Sequence, residues 1–465
     1  MRTEGRLFVS SILSERTTPP MNLIEQIIST IEHWQKHLLT TSQQDQCTSM
    51  AVMEQAAQSL GLRIAQLALS HILEQSGTGY DRSTRSCQCG SKQRFERFSE
   101  RTVRTLIGLI AYKRAYYRCR WCGASCFPLD EQINQSRREI SPGVERAVAL
   151  LSAHLSFLEA ERVLSELTGV ALSARQIETV AESIGAEAEQ LQKQDDRQAA
   201  SPGLVEIQGP NQPEMKTYIV EMDGVQVGLQ DGSWQEVKCG VIYELSRRVE
   251  ISAGRWELLN RRRCVVRGDV LAFRARLWAL CRRAGLRQQD RVIVIGDGAQ
   301  WIDQTAQMLF PKAIRILDYY HAAERIWAVA AARWGEGSLR SKQWALARLS
   351  QLKDGEVKAV IGSIKRLKIK AGEAQTLRAG AISYLSNRVE QMKYGEYTKQ
   401  GLPIGSGAVE SSCKQLVTAR CKQAGMRWGE AGVDAILALR CFVVNERLDE
   451  LCPKSAINFK WAEAA

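Results

Sequence analysis

The sequence predicts a mixed α/β protein in which a small cysteine-rich unit and helical segments precede a larger sheet-forming domain. Apolar residues recur at helical spacing over residues 22–75, two cysteine pairs flank a strand-like stretch within residues 81–130, and strand and helix patterns alternate after residue 213. The chain has 465 residues, of which 45% are apolar and 25% charged. This composition suits several globular domains and excludes long disorder, collagen and coiled coil.

The first segment, residues 1–80, is predicted to be helical and to end at the turn signal Gly77-Thr78-Gly79. No stretch approaches the roughly 18 uninterrupted apolar residues that a membrane span needs, and the N-terminus lacks the apolar centre of a signal peptide. We therefore expect an intracellular protein without a membrane partner, in which the 13 cysteines stay reduced.

Residues 81–130 are predicted to form a zinc ribbon. Cys87 and Cys89 precede a basic strand-like stretch, and Cys119 and Cys122 follow it, all of them in glycine-flanked turns. Two such knuckles joined by a hairpin bring four thiolates onto one tetrahedral Zn²⁺, which adds stability to a small unit. The first pair has one intervening residue where two are usual, so Cys126 is an alternative ligand. Reduced cysteines without metal are the other alternative.

Residues 131–195 are predicted to be a helical region with a helix-turn-helix that binds DNA. A short helix over residues 159–167 leads through a turn at Gly169 into a second short helix with a serine cap. Arg175 and Gln176 are the side chains of this second helix that suit base contacts. The alternative is an ordinary helical hairpin.

The order of elements after a polar linker at residues 196–213 predicts an RNase H-like sheet. Residues 214–318 show the pattern of three antiparallel strands, followed by alternating helices and short buried strands, one of which ends at Asp297. Residues 319–400 are predicted to be an all-helical insertion into this domain. Residues 401–465 then complete the domain with helices that follow a glycine-rich turn.

Three acidic residues fall where such a sheet would bring carboxylates together. Asp223 lies on the first strand, Asp297 at the end of the fourth, and Glu410 on the helix after the insertion. Three carboxylates repel one another unless divalent cations lie between them, and all-oxygen ligands select Mg²⁺ or Mn²⁺. Two such ions would support in-line displacement at a phosphodiester. Alternatively, both aspartates are turn residues and Glu410 stabilises a helix N-terminus.

The net charge predicts a polyanionic partner. The chain has 63 Lys and Arg against 51 Asp and Glu, a formal charge of +12. Between Arg247 and Arg291 there are 13 arginines, no lysines and four acidic residues. Arginine binds phosphate through two parallel hydrogen bonds, so this stretch favours contact with DNA over its alternative, a solvated surface. The predicted DNA-contacting side chains are Arg175, Arg261, Arg262, Arg263, Lys414, Arg420 and Lys422.

Several short motifs occur in a fixed order along the chain. They are Cys87-Gln-Cys-Gly90, Met222-Asp-Gly224, Gly296-Asp-Gly-Ala299, Asp318-Tyr-Tyr-His321, Ile404-Gly-Ser-Gly407 with Glu410, and Gly425-Met-Arg-Trp428. Together they resemble bacterial insertion-sequence transposases of the ISKra4 family, which are related to Mutator-like DDE transposases. The resemblance implies that Asp223, Asp297 and Glu410 are the three catalytic acids. It places His321 near the active site, where it would contact the scissile phosphate or a flanking base, or cap a helix.

The resemblance implies a DNA transposase that binds the terminal inverted repeats of its element and cuts and joins strands with Mg²⁺ or Mn²⁺, while Zn²⁺ has a structural role. Its expected partners are the element ends, target DNA and at least one further copy of itself, in the bacterial cytoplasm at the nucleoid. Two alternatives are a non-catalytic zinc-dependent DNA-binding regulator with a transposase-like scaffold, and a structure-selective RNase H-like nuclease.

Overall fold

The computed structural model describes residues 22–42, 49–200, 214–252, 255–369 and 372–454. The chain divides into two compact units. The first unit contains residues up to 145 together with 165–170, and the second contains residues 146–164 together with those from 171 onward.

The helices and strands of the described residues are numbered in chain order. The strands are β1 (Thr84–Ser86), β2 (Lys92–Thr105), β3 (Gly108–Cys119), β4 (Ser125–Cys126), β5 (Thr217–Gly228), β6 (Trp234–Glu244), β7 (Arg248–Ser252), β8 (Arg255–Leu258), β9 (Arg262–Arg267), β10 (Arg291–Gly296) and β11 (Ile314–Leu317). The helices are α1 (Leu23–Ser42), α2 (Met50–Gln75), α3 (Pro128–Gln132), α4 (Pro142–His154), α5 (Phe157–Thr168), α6 (Ala174–Ala199), α7 (Val270–Arg283), α8 (Gln300–Leu309), α9 (Tyr319–Trp334), α10 (Leu339–Lys353), α11 (Val357–Arg366), α12 (Glu373–Ser386), α13 (Tyr394–Lys399), α14 (Gly407–Cys413), α15 (Ala419–Cys421) and α16 (Glu430–Val444). A π-helix, Lys414–Thr418, follows α14 directly.

The first unit contains an antiparallel sheet of order β1-β2-β3-β4. Strands β2 and β3 form a long ribbon, closed by a turn before Gly108, whose φ of +118° suits glycine. Val103, Tyr112 and Leu129 form an apolar cluster on this ribbon, against which Leu73 of α2 also packs. The sheet therefore has one end in a small core and the other at the cysteine-bearing turns.

The second unit contains a five-stranded mixed sheet of order β11-β10-β5-β6-β9. Strands β5, β6 and β9 are antiparallel neighbours, whereas β10 runs parallel to both β5 and β11. Residues 218–222 of β5 are all buried, as expected for a central strand covered on both faces.

Helices cover both faces of this sheet. The face of β5 that carries Val220 and Met222 packs against Phe273 and Leu277 of α7 in the main apolar core. Successive side chains of a strand point to opposite faces, so Glu221 and Asp223 point the other way, and there they contact α14.

Helices α9 to α13 form the insertion between β11 and α14, and the described residues from 319 to 400 contain no strand. The backbone N–H of Tyr319 donates to the carbonyl of Ile404 at 2.9 Å, so the two ends of the insertion meet. The Tyr394 hydroxyl donates to the carbonyl of Leu317 at 2.9 Å. The insertion is therefore attached to the sheet at the end of β11.

The structure departs from the sequence prediction in three places. The pattern of residues 256–266 predicts one strand, but the chain forms β8 and β9, because Asn260 adopts a left-handed φ of +56° between them. Strand β8 instead forms a separate hairpin with β7.

The second helix of the predicted helix-turn-helix is not short. Helix α6 has 26 residues and buries Ile177, Val180 and Ile184. Because this apolar stripe continues at helical spacing, α6 packs along α7 and α16 as part of the second unit. The helix also extends to Ala199, so the linker predicted at 196–213 starts later than expected, and residues 201–213 lie outside the described residues.

No helix in the described parts of the chain combines the length and apolar character needed to cross a membrane.

Candidate active site and metal centre

The parallel pairing of β5 with β10 places two aspartates side by side. Gly296, the last residue of β10, is the register partner of Met222. Asp223 is the next residue of β5, and Asp297 directly follows β10. Neighbouring strands lie about 4.8 Å apart, so the backbones of the two aspartates are separated by roughly that distance. The register of β10 with β11 brings Asp318 to the same edge.

Two of these carboxylates interact unfavourably with each other. Asp223 is half-buried, its Oδ1 accepts a hydrogen bond from the Gly224 N–H at 2.7 Å, and its Oδ2 lies 3.7 Å from the Sγ of Cys413. Asp297 accepts from the Ala299 N–H at 2.8 Å. Burial raises the pKa of Asp223, and the negative charge of Asp297 raises it further. A bound cation would relieve this repulsion.

Glu221 is a buried carboxyl group on the same face of β5 as Asp223. It is 1% exposed, and it accepts hydrogen bonds from the Tyr243 hydroxyl at 2.9 Å and the Val409 N–H at 2.8 Å. Burial raises the pKa of Glu221 to about 7. Each of its oxygens has a donor within the protein, so Glu221 holds the first turn of α14 against the sheet.

The third predicted acid does not join the pair. Glu410 is 63% exposed, and its Oε1 accepts from the Lys414 ammonium group at 2.7 Å. It lies one helical turn from Cys413, the residue of α14 that approaches Asp223. Among the described residues, the four-cysteine group is the one group of three or more ligand side chains close enough to hold a metal ion, and it contains no acidic residue. The structure therefore brings Asp223 and Asp297 together and leaves Glu410 paired with Lys414.

Asp318 connects the two ends of the helical insertion. It is 2% exposed, and its Oδ1 caps α9 by accepting from the N–H groups of Tyr320 at 2.6 Å and His321 at 3.1 Å. Its Oδ2 accepts from the Ser406 N–H at 2.5 Å and from the Ser406 hydroxyl. Ser406 is 88 residues further along the chain, directly before α14. Asp318 thus fixes the start of the helix that carries Glu410.

His321 places a positive charge beside the aspartates. Its Nδ1 lies 3.6 Å from the Oδ1 of Asp318, and its side chain is 42% exposed. The Asp318 carboxylate raises the pKa of His321 to about 9, so the imidazole is cationic at neutral pH. The charge of His321 also lowers the pKa of Asp223, and the charge of Asp297 raises the pKa of His321. Asp318, and not His321, caps the start of α9. The imidazole of His321 lies beside the Asp318 carboxylate.

The insertion also shapes the loop after β10. The Tyr384 hydroxyl donates to the carbonyl of Asp297 at 2.5 Å, and the Arg388 guanidinium donates to the carbonyl of Gly298. Gly298 has a φ of +81°, and a Cβ at this position would lie 2.3 Å from the Arg388 Nε. The C-terminal end of α12 and the residues directly after it therefore hold the Asp297 loop in place, and the positive φ favours glycine at position 298.

Four cysteines of the first unit form a cluster that can hold a metal ion. The Sγ atoms of Cys87 and Cys122 are 3.5 Å apart, those of Cys89 and Cys119 are 3.8 Å apart, and all four lie within 4.8 Å of one another. Zn–S bonds of about 2.3 Å in a tetrahedron give an S–S distance of about 3.8 Å, so the spacing fits Zn²⁺. Cys126 is outside the cluster and donates to a glutamine side chain of β2 at 3.0 Å.

The local backbone favours thiolates in this cluster. The Cys122 N–H is the main cause that lowers the pKa of the Cys119 thiol to about 6. Gly90 and Gly123 have φ values of +82° and +74°, which let each turn fold back over its cysteines. The arrangement of donors therefore suits a soft divalent metal such as Zn²⁺.

The structure contradicts the predicted DNA contact of two arginines. Arg420 is fully buried, donates to the Ser152 carbonyl at 2.9 Å and lies over the rings of Phe157 and Trp428. Arg263 is 6% exposed and donates to the Ser412 hydroxyl at 3.1 Å. Burial lowers the pKa of both guanidinium groups to about 10. These arginines hold helices together and are not available to a ligand.

Much of the arginine-rich stretch has the same internal role. Besides Arg263, six of its arginines bond to side chains of their own unit: Arg267, Arg274, Arg276, Arg283, Arg287 and Arg291. The local charge excess therefore overstates the surface that DNA could contact. Of the other predicted contacts, Arg261 and Arg262 are half-buried, Lys422 is exposed, and Arg175 is exposed but paired with Glu178 at 2.6 Å.

Three features of the candidate active site were not predicted. They are the buried Glu221, the Asp318–Ser406 link and the contacts that Tyr384 and Arg388 make with the Asp297 loop. A charged residue within the apolar run of β5 is a signal that could have identified Glu221, because an ionisable group in a central strand needs a buried partner. The other contacts join residues far apart in the chain and left no local pattern.

The fold and these sites define a mixed α/β protein with an aspartate pair at a sheet edge and a separate four-cysteine cluster. The chain belongs to the uncharacterised protein family UPF0236, whose family model matches residues 52–450.

Two relatives illustrate this family membership. A UPF0236 protein of Caldanaerobacter subterraneus subsp. tengcongensis is 24% identical over 360 residues, which cover 75% of this chain and 69% of that protein. Its name carries eleven locus designations. A protein of Streptococcus gallolyticus, described as a UPF0236 protein in the vanSb 3′ region, is 30% identical over 168 residues, or 36% of this chain and 33% of that protein.

Proposed function

We propose that this protein is a DNA transposase of the DDE type, whose second unit is an RNase H-like catalytic domain. The observation that carries the proposal is the position of Asp223 and Asp297 at the same level of neighbouring parallel strands. The sheet order supports it, because three antiparallel strands followed by two parallel ones on the other side of the first strand is the RNase H-like arrangement.

The donor set fits a hard divalent cation. Asp223 and Asp297 offer carboxylate oxygens, and the charge of Asp297 raises the pKa of Asp223, which a bound cation would counter. Glu410 would complete the set by rotating away from Lys414, since it already lies on the helix that contacts Asp223. When bound, Mg²⁺ or Mn²⁺ would activate a water or a 3′-hydroxyl for attack on the phosphodiester and stabilise the leaving oxygen.

Two cationic side chains would contact phosphate groups of the DNA backbone. His321 is charged at neutral pH and acts on the aspartates electrostatically, so it would face the phosphate that they position. Lys414 would become available to a neighbouring phosphate once Glu410 turns away. Asp318 acts on the reaction only through the position of His321 and α14.

The first unit presents a surface suited to DNA. Arg94 and Arg118 are exposed and directly opposite each other in the β2–β3 register, and Lys92 and Arg97 are exposed on the same strand as Arg94. Two like charges in direct register destabilise a ribbon unless an anion lies between them, so this arrangement favours binding of phosphate groups. The four-cysteine cluster with Zn²⁺ would stabilise this ribbon next to the arginines.

The relative with eleven locus designations supports a mobile element. One protein encoded at many loci is expected when a gene moves with its own insertion sequence and leaves further copies. A regulator or a repair nuclease has no such reason to be repeated.

The test uses purified protein and the DNA that flanks its coding sequence, with Mg²⁺ or Mn²⁺ added. We expect cleavage at the ends of the element and joining to a second duplex, and we expect Asp297→Ala to abolish both. Asp354→Ala is the matched control, because Asp354 is an exposed acid on the insertion. Equal cleavage by wild type and Asp297→Ala would refute the active-site assignment.

The same assay separates the two alternatives. Sequence-specific binding without metal-dependent cleavage would indicate a regulator. Cleavage of branched DNA without any strand-transfer product would indicate a structure-selective nuclease.

A further inference from the structure

A cavity of about 450 Å³ opens beside the candidate active site. It is lined by the β7–β8 hairpin, by the segment before β9 and by the start of α14, with Glu221 and Tyr243 at its base. Its size lies in the range of small-molecule and single-nucleotide sites. None of the residues that line it had been assigned a role from the sequence, except Arg261 as a DNA contact.

One wall of the cavity is formed by an aromatic side chain that contacts an arginine. Trp256 lines the cavity and is 45% exposed, and the Arg248 guanidinium lies 4.4 Å from the centre of its ring. Ile251, on the facing strand of the hairpin, is 51% exposed. A large, partly exposed ring that contacts a cation and lines the cavity offers a flat apolar surface for stacking.

The polar groups of the cavity suit a nucleotide. Arg261 supplies a cation for a phosphate or for the edge of a base, while Glu257 supplies an acceptor. The carboxyl group of Glu221 and the hydroxyl of Tyr243 already bond to each other. The two side chains at the bottom of the cavity are therefore held by their mutual hydrogen bond. Arg261 and Glu257 are the polar side chains on the cavity walls that a ligand could contact.

The cavity is close to the aspartate pair along the same face of the sheet. Glu221 is two residues before Asp223 on β5, so about 7 Å of strand separates them. A DNA strand advances about 3.4 Å per nucleotide in a duplex. A nucleotide one or two steps from a phosphate at Asp223 and Asp297 would therefore reach the cavity.

We propose that this cavity receives a single unpaired base of the DNA substrate, which stacks on Trp256 and is contacted by Arg261. The position of the base relative to the cleaved phosphate rests on the proposed function, whereas the stacking itself depends only on the cavity. Stacking of a base on an aromatic side chain is sequence-tolerant, so any of the four bases should enter.

The experiment uses the full-length, zinc-loaded protein in buffer without added Mg²⁺ or Mn²⁺, and a duplex with a short single-stranded overhang that contains 2-aminopurine. Stacking on Trp256 should quench the 2-aminopurine fluorescence. Trp256→Ala should remove the quenching and weaken overhang binding about tenfold, with little effect on a blunt duplex. Trp256→Phe should restore part of both signals.

Trp234→Ala is the matched control, because Trp234 is also exposed, at 55%, but lies at the opposite end of β6 from Tyr243. Circular dichroism checks that each variant is folded. Equal quenching and equal affinity in wild type and Trp256→Ala would overturn the proposal.

The outcome is independent of catalysis, because the fluorescence is read without the Mg²⁺ or Mn²⁺ that cleavage would require. Base stacking in a protein that never cleaves DNA would support the cavity and refute the proposed function. Cleavage that depends on Asp297 with unchanged fluorescence in Trp256→Ala would refute the cavity alone.

Discussion

The link between Asp318 and Ser406 gives a quantitative test of how the candidate active site is assembled. Replacing Asp318 with alanine removes a helix cap, which is worth about 1 kcal/mol. It also leaves the N–H and hydroxyl of Ser406, a residue only 7% exposed, without their acceptor. A buried donor without a partner costs about 1–3 kcal/mol, so we expect the free energy of unfolding to fall by roughly 3 kcal/mol in total.

The matched control is Asp269→Ala. Asp269 also caps a helix, accepting from the Leu271 N–H at 2.8 Å, but it is exposed and holds no second segment. We expect this variant to lose only about 1 kcal/mol. Urea unfolding followed by tryptophan fluorescence measures both variants. If Asp318→Ala is no more destabilising than Asp269→Ala, the link to Ser406 does not stabilise the fold.

Three further predictions concern the metal centre, the buried arginine and the histidine. Metal analysis should find no bound zinc in Cys119→Ser, whereas the control Cys126→Ser should keep one ion per chain. Folded wild type without zinc would contradict the assignment. Arg420→Ala should lower the unfolding free energy by about 3 kcal/mol, because it removes a buried charge-assisted hydrogen bond and two cation–ring contacts. Its control Lys422→Ala should leave stability unchanged and weaken DNA binding in a salt-dependent titration. The folded-state pKa of His321, about 9, lies above its unfolded value of about 6.5, so its ion pair stabilises fully below about pH 6.5 and is lost as pH rises through 9. The unfolding free energy of wild type should therefore decline over that interval, and a His321→Gln variant with the same decline would contradict this origin.

The secondary structure of the second unit was largely predictable because its elements have strong local patterns. The apolar run of β5, the short buried run of β10 and the capped start of α7 are each encoded by adjacent residues. The break between β8 and β9 was missed, since a single asparagine with positive φ interrupts an otherwise continuous strand pattern. The length of α6 was missed because its buried stripe packs on helices that come much later in the chain.

The candidate site was predictable in part. The positions of Asp223 and Asp297 follow from strand patterns, because residues at corresponding positions of neighbouring parallel strands must be close. The orientation of Glu410 does not follow, since a residue on an exposed helix can pair with Lys414 one turn away or turn towards the sheet. The burial of Arg420 does not follow from the sequence either. Its charge predicts an exposed side chain, but in the fold it is buried against the rings of Phe157 and Trp428.

The order of the helices and strands, the spacing of the four clustered cysteines and the positions of Asp223 and Asp297 on or just after buried strands follow from local pattern in the sequence. The burial of particular arginines, the contact of Glu221 with α14 and the link from Asp318 to a segment 88 residues away are visible in the folded chain alone. These features depend on contacts between distant parts of the chain. Burial and pairing are properties of the assembled fold, and no single segment contains the information that sets them.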